Sequence, residues 1–319
     1  MNRSGTEWIR VFAPATVANV GCGFDVLGFA IDGPGDEVLA TLDERPGVVI
    51  DSIDGAEDRL PLAPEKNTGG RGVQSLLKAL GREETGIRLR IHKKMPLGSG
   101  LGSSAASAVA SVVAANELLG APLKREELLP HVVEGEVAAS GTAHADNVAA
   151  SLLGGFVLVR SDNPPDVISL DYPKDLCCTI IHPKIEIETR NTRMILRKEV
   201  SMANAIQQWA NVGALVAGLY KGDYDLIGRS LQDRIVEPIR SVLIPGYDRM
   251  KNRAMEAGAI GFSISGAGPS VFALCRSLEQ AQEIGESAGS VLEEMDLEYD
   301  LHLSPVNHKG SYILERGES

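Results

Sequence analysis

Residues Pro96-Leu97-Gly98-Ser99-Gly100-Leu101-Gly102-Ser103-Ser104-Ala105-Ala106-Ser107 form a turn whose neighbours leave it one way to fold. Before it, Ile87, Leu89 and Ile91 alternate with Arg88, Arg90 and His92, the two-residue period of a half-buried strand. After it, Ala105, Ala108, Val109, Val112 and Val113 recur as on one face of a helix. The expected order is strand, glycine-rich turn, helix. Glycines at alternate positions allow positive φ and let a ligand approach the main chain closely. Ser103 and Ser104 then open the helix, where free N–H groups and the positive end of the macrodipole favour an anion. A phosphate group is the expected guest. The stretch is not a P-loop, because no lysine lies within 96–107, and Ser103 stands where the dinucleotide fingerprint needs a third glycine. Protein-kinase signatures are also absent.

At 319 residues the chain is long enough for two ordinary domains or one large one. Aromatic residues make up only 4% of it, so its cores must be built from Val, Leu, Ile and Ala. A net charge of −12 argues against a nucleic-acid or anionic-membrane partner, which calls for a basic face. An acidic protein that grips a polyphosphate must supply positive potential locally, from helix ends, metal ions and a few arginines. Cys22, Cys177, Cys178 and Cys275 show neither C-x-x-C spacing nor a His/Cys cluster, and free thiols point to a reducing cytoplasm. The first residues carry no apolar signal-peptide core, and the apolar run at 105–119 contains Ser, Asn and Glu and falls short of a membrane span.

In chain order, an opening strand at 8–13 is expected to stop at Pro14, followed by a loop over 15–30 that carries Asn19 and Asp25. Asp25 reads there as a turn former. Strands are expected near 37–42 and 47–53, and Asn67-Thr68 should cap a helix reaching about Leu80. A helix over 125–139 turns Leu128, Leu129, Val132 and Val133 inward. Glu136 follows Val132 by four residues and Leu129 by seven, so it too points to the dry side. A carboxylate there must be paired or must hold a cation. Beside an anion-binding turn, the reading favoured is a magnesium ligand. The next loop packs His144, Asp146 and Asn147 together, as a helix cap or as part of a site. Ser161-Asp-Asn-Pro-Pro-Asp166 is the linker candidate, which divides the chain into 1–162 and 163–319. Beyond it, strands are expected at 167–170, 177–182, 185–188, 261–264, 271–274 and within 299–314. Helices are expected from Thr189 and over 201–220, 223–233, 247–257 and 278–295. Arg193 and Arg240, taken singly, read as surface charges. A second glycine-rich turn at 263–270, containing Gly266, could form an anion nest near the first.

Segments 14–30, 96–107 and 264–270 resemble, in order, the three motifs of the GHMP small-molecule kinases. His144-Ala-Asp-Asn147 and Glu237-Pro-Ile-Arg-Ser-Val-Leu-Ile-Pro245 are similar to strings found in the homoserine kinases of that superfamily. The resemblance implies a two-domain α+β GHMP kinase fold, with a left-handed βαβ unit in an ATP-binding N-terminal domain and an α/β-plait-like C-terminal domain. It implies a homodimer, and phosphorylation of the L-homoserine hydroxyl with ATP and Mg²⁺, a step toward threonine. Carried over by position, Ser104 and Glu136 would hold Mg²⁺, and Asn67 with residues 96–106 would bind ATP. Asp25 would meet the homoserine ammonium, and Arg193 and Arg240 would clamp its carboxylate. Asn19, His144, Asn147, Thr189 and Gly266 would line the same pocket, with Asn147 nearest the reacting hydroxyl. Cys22, Ala150 and the glycine run at 69–72 depart from the family pattern. Two alternatives stay open: a kinase of the same superfamily acting on another small alcohol, and a non-catalytic ATP-binding sensor of the same fold.

Overall fold

A computed structural model describes residues 7–141, 144–187 and 189–318, with the main chain alone for 138–140 and 189–191. The first half runs β1 (Glu7–Ala18), β2 (Leu27–Asp43), β3 (Gly47–Asp54), α1 (Thr68–Ala79), β4 (Gly86–His92) and α2 (Ser103–Leu118). It continues through α3 (Leu129–Ser140), α4 (Ala145–Leu153), β5 (Phe156–Asp162) and β6 (Pro165–Leu170). The second half begins with β7 (Cys177–Pro183), α5 (Thr189–Met194), α6 (Met202–Lys221), α7 (Tyr224–Ser230) and α8 (Glu237–Arg240). Then come α9 (Tyr247–Glu256), β8 (Gly261–Ile264), β9 (Val271–Cys275), α10 (Leu278–Glu293), β10 (Tyr299–Pro305) and β11 (Tyr312–Glu318).

The first sheet is ordered β11-β1-β2-β4-β3, with β5 on the early part of β2 and β6 beyond β5. Its one parallel pair, β3 with β4, needs a crossover connection, and α1 supplies it. The second sheet, β10-β7-β9-β8, is antiparallel throughout. Helix α2 is buried on nearly every side, between β1 and β2 on one face and α1, α3 and α4 on the other. Alanine-rich flanks let those elements approach, while fully buried Val109 and Val112 each contribute about 1.5–3 kcal/mol of apolar burial. This helix fixes the turn that precedes it.

Four expectations change. Strand β1 does not stop at Pro14, because the missing N–H is absorbed by a register shift between Pro14 and Thr16 and pairing with β2 resumes to Ala18. The expected strand at 185–188 is absent over 185–187, since β10 begins opposite Pro183 and offers no partner beyond it; Glu188 lies outside the described residues. The helix expected to reach 233 ends at Ser230, because the Asp233 carboxylate accepts from the N–H groups of Ile235, Val236 and Glu237 and turns the chain. The expected linker at 161–166 is the hairpin between β5 and β6, and β11 returns to β1, so the first sheet draws on both sides of residue 162.

Candidate active site

The glycine-rich turn lies between β4 and α2 as expected, with φ of 68° at Gly98, 79° at Gly100 and 70° at Gly102. Its glycines are also required by space. A Cβ on Gly100 would lie 2.5 Å from the Ser265 carbonyl oxygen, and one on Gly102 would lie 2.2 Å from Thr16 Oγ1. The second glycine-rich turn therefore packs against the first: Ser265 Oγ donates to the Gly100 carbonyl at 2.8 Å, and the Ser270 N–H donates to the Ser99 carbonyl. Gly102 is the N-cap of α2 and brings no side chain to it, so the first-turn N–H groups remain for an anion.

Under this turn lies a charge that the sequence reading missed. The Lys93 ammonium and the Asp36 carboxylate form a buried ion pair; Lys93 Nζ also donates to the Ser103 carbonyl at 2.7 Å and to Ser107 Oγ at 2.8 Å. Asp36 accepts in addition from Ser103 Oγ and the Lys94 N–H. Neither residue lies in a motif, yet the signal was present. Extending the inward alternation of β4 (87, 89, 91) and β2 (38, 40) by one step places Lys93 and Asp36 inside.

Glu136 is 4% exposed, as the helical spacing required, and its Oε1 accepts from Ser104 Oγ at 2.8 Å. Burial pushes its carboxyl up, and His144, the Ser104 hydroxyl and Lys93 pull it back toward the ionised form. A hydroxyl and a carboxylate side by side are the hard oxygen donors Mg²⁺ prefers. Among the described residues no cluster of three or more His, Cys, Asp or Glu offers a closed metal cage. A cation here would therefore share its coordination with phosphate oxygens and water, so the donor set fits a metal that arrives with a nucleotide.

Lys93, Ser103, Ser104, Ser107 and Glu136 all line one cavity of about 460 Å³. In the same cavity, the Asn19 side chain accepts from the Asp25 N–H at 3.0 Å and donates to the Gly266 carbonyl at 2.7 Å, and Asn19 and Asp25 both have positive φ. Asp25 is thus a turn former and a site carboxylate at once: Arg193 Nη2 donates to both its oxygens, at 2.8 and 2.7 Å. Arg240, read singly as a surface charge, is 4% exposed, and burial lowers its pKa to about 10. Its Nη1 donates to the Gly266 carbonyl at 3.1 Å. Thr16 Oγ1 donates to Asn147 Oδ1 at 2.7 Å, which fixes that amide beside the turn. His144 lines the cavity near Glu136.

Some residues fall elsewhere. Leu101, Ala105 and Ala106 point into the core and Pro96 is exposed, so of residues 96–106 only Leu97, Gly98, Ser99, Gly100, Gly102, Ser103 and Ser104 line the cavity. Asn67 lines it too, but its Oδ1 caps α1 through the Gly69 and Gly70 N–H groups. The Thr189 side chain lies outside the described residues.

Asp146, 2% exposed, is a second buried carboxyl, to which the sequence reading gave no role of its own. Burial raises its pKa to about 6, with Asp25 adding to the effect and His144 opposing it. A raised folded pKa means stability that is complete below the unfolded value and lost as pH climbs through the folded one. Wild type should therefore lose up to about 3 kcal/mol relative to Asp146→Asn between pH 4 and pH 7. Urea denaturation at both pH values checks this; parallel pH profiles would contradict it.

Residues 69–155 match the family model described as GHMP kinases N terminal domain, and residues 215–294 match GHMP kinases C terminal. A protein named homoserine kinase from Chlorobium phaeobacteroides strain BS1 is 50% identical, over 95% of this chain and 98% of that one. A crystal structure of homoserine kinase from Cytophaga hutchinsonii superposes with a TM-score of 0.94 at 55% identity, covering 96% of this chain and 97% of the other. The L. major mevalonate kinase, 18% identical with a TM-score of 0.66 over 92% of this chain and 95% of its own, shares the fold. By its motifs, its two-sheet architecture and these likenesses, the chain belongs to the homoserine kinases of the GHMP kinase family.

Proposed function

We propose that the chain transfers the γ-phosphoryl group of ATP to the side-chain hydroxyl of L-homoserine, giving O-phospho-L-homoserine. The observation that carries this is a single cavity lined both by an anion cradle and by the Asp25 carboxylate with two arginines. The α2 N-terminus and the turn at 98–104 would take the phosphates. Ser104 and Glu136 would hold Mg²⁺, which when bound neutralises charge on the transferring group. Asp25 would take the substrate ammonium; Arg193 and Arg240 would take its carboxylate, for which a guanidinium fork is the matching donor. In this division, residues 1–162 provide the nucleotide site and 163–319 contribute the arginines.

The Asn147 amide cannot accept a proton usefully at neutral pH, so it orients the hydroxyl rather than deprotonating it. The hydroxyl oxygen bonds to the γ-phosphorus as the bond to the β,γ-bridging oxygen breaks. ADP leaves with that electron pair, and the proton passes to a phosphoryl oxygen or to water. Alignment and charge neutralisation suffice for such a transfer.

Mevalonate or a sugar would give Asp25 no ammonium to meet, and a mere sensor would have no need of the Ser104–Glu136 pair. Coupled ADP release with Mg²⁺-ATP and homoserine, mevalonate, galactose or shikimate tests the reading. Homoserine should be turned over well above the others; preference for any other alcohol, or no turnover at all, would overturn it. A homodimer in the cytoplasm belongs to the same reading. All four cysteines are unbridged and buried, and no helix among the described residues is long and apolar enough to cross a membrane. Residues 202–220 of α6 carry no charge and turn Met202, Ile206 and Trp209 outward at helical spacing, a face suited to a second copy.

A further inference from the structure

Phe24 was given no role by its sequence motif, yet it lines the cavity between the residues that matter most for a zwitterion. The Arg193 guanidinium carbon lies 5.6 Å from the centroid of its ring and that of Arg240 lies 5.2 Å from it. The two cations thus share one aromatic surface. The segment that presents the ring is held at several points. Asn19 ties it to Gly266, Gln208 donates to the Cys22 carbonyl at 2.7 Å, and a Cβ on Gly21 would collide with the Leu231 carbonyl at 2.0 Å.

The internal pairing explains why such a platform is needed. Arg193 Nη2 donates to both oxygens of Asp25. A substrate ammonium that claims Asp25 removes the only carboxylate partner described for Arg193. At the same moment it leaves two guanidinium groups facing one another, whose repulsion already helps lower the Arg240 pKa. The buried Nε of Arg240 has no acceptor among the described residues, so this wall is set up to receive a ligand's oxygens. An aromatic face, with its negative quadrupole, attracts both cations and limits their movement. A leucine of similar bulk would fill the space without that attraction.

We infer that Phe24 is a positioning residue for carboxylate binding, holding Arg193 and Arg240 in place while the Asp25–Arg193 pair opens to admit a zwitterion. This rests on the proposed function, and its test is chosen to separate the two. Calorimetric Kd values for L-homoserine and for aminopropanol, which has the ammonium and hydroxyl but no carboxylate, would be measured in the wild type, Phe24→Leu and Phe24→Tyr. Phe24→Leu should weaken homoserine about tenfold, leave aminopropanol and ATP binding within twofold, and be rescued by Phe24→Tyr. An unchanged homoserine Kd in Phe24→Leu would overturn the inference, as would an equal loss for aminopropanol or ATP, or a tyrosine variant as weak as the leucine one. Absence of turnover in the wild type would sink the kinase reading and leave these binding comparisons intact.

Discussion

Glu136→Ala should lower kcat by at least about 10³-fold while the protein stays folded. Removing one group that stabilises charge in a transition state typically costs 10²–10³, and Glu136 is also the only carboxylate among the described residues in hydrogen-bond contact with Ser104. The fold should survive because the change removes a buried carboxyl whose ionisation the interior already opposes. Wild-type Tm should rise on adding Mg²⁺-ATP, and that of Glu136→Ala should not, since stabilisation by a ligand follows its affinity for the native state. Steady-state kinetics and thermal melts check both halves; a variant with wild-type kcat would remove Glu136 from the chemistry.

Arg240→Ala should raise the homoserine KM about 10²-fold and leave the ATP KM nearly unchanged. Truncating one partner of a buried charged pair costs about 2–5 kcal/mol, much of it the penalty on the group left behind. Arg240 is buried, bonded to the Gly266 carbonyl and set over the Phe24 ring with Arg193, so the loss should fall on the amino-acid substrate. Arg240→Lys should recover only part, because an ammonium cannot reproduce the guanidinium fork. A drop in ATP affinity alone would place Arg240 in the nucleotide half and contradict the assignment.

Much of this site was legible before any coordinates. The alternation in β4, the glycines at 98, 100 and 102 and the helical spacing after them fix a strand, a turn and a helix. The place of Glu136 on an apolar face forecast its burial. What could not be read were properties of assembly. Arg240 sits on a four-residue helix with no periodicity to expose it, and only packing against Gly266 shows that it is interior. Pro14 suggested a strand end because the rule for proline is local, whereas the β1–β2 pairing that carries the strand past it is not. Lys93 and Asp36 are 57 residues apart and meet only because β2 and β4 are neighbours. The Arg193–Asp25 pair spans 168 residues and joins the two halves of the chain, and nothing in either local segment announces it.

The central claim is that an uncharged cradle at the start of α2, completed by a divalent cation between Ser104 and Glu136, grips the nucleotide phosphates. Crystallising the protein with Mg²⁺ and a non-hydrolysable ATP analogue tests this directly. The β- and γ-phosphates should rest against the N–H groups of the 98–105 segment, with the cation touching both Ser104 and Glu136. Phosphates bound elsewhere, with that cradle filled by water alone, would contradict the account.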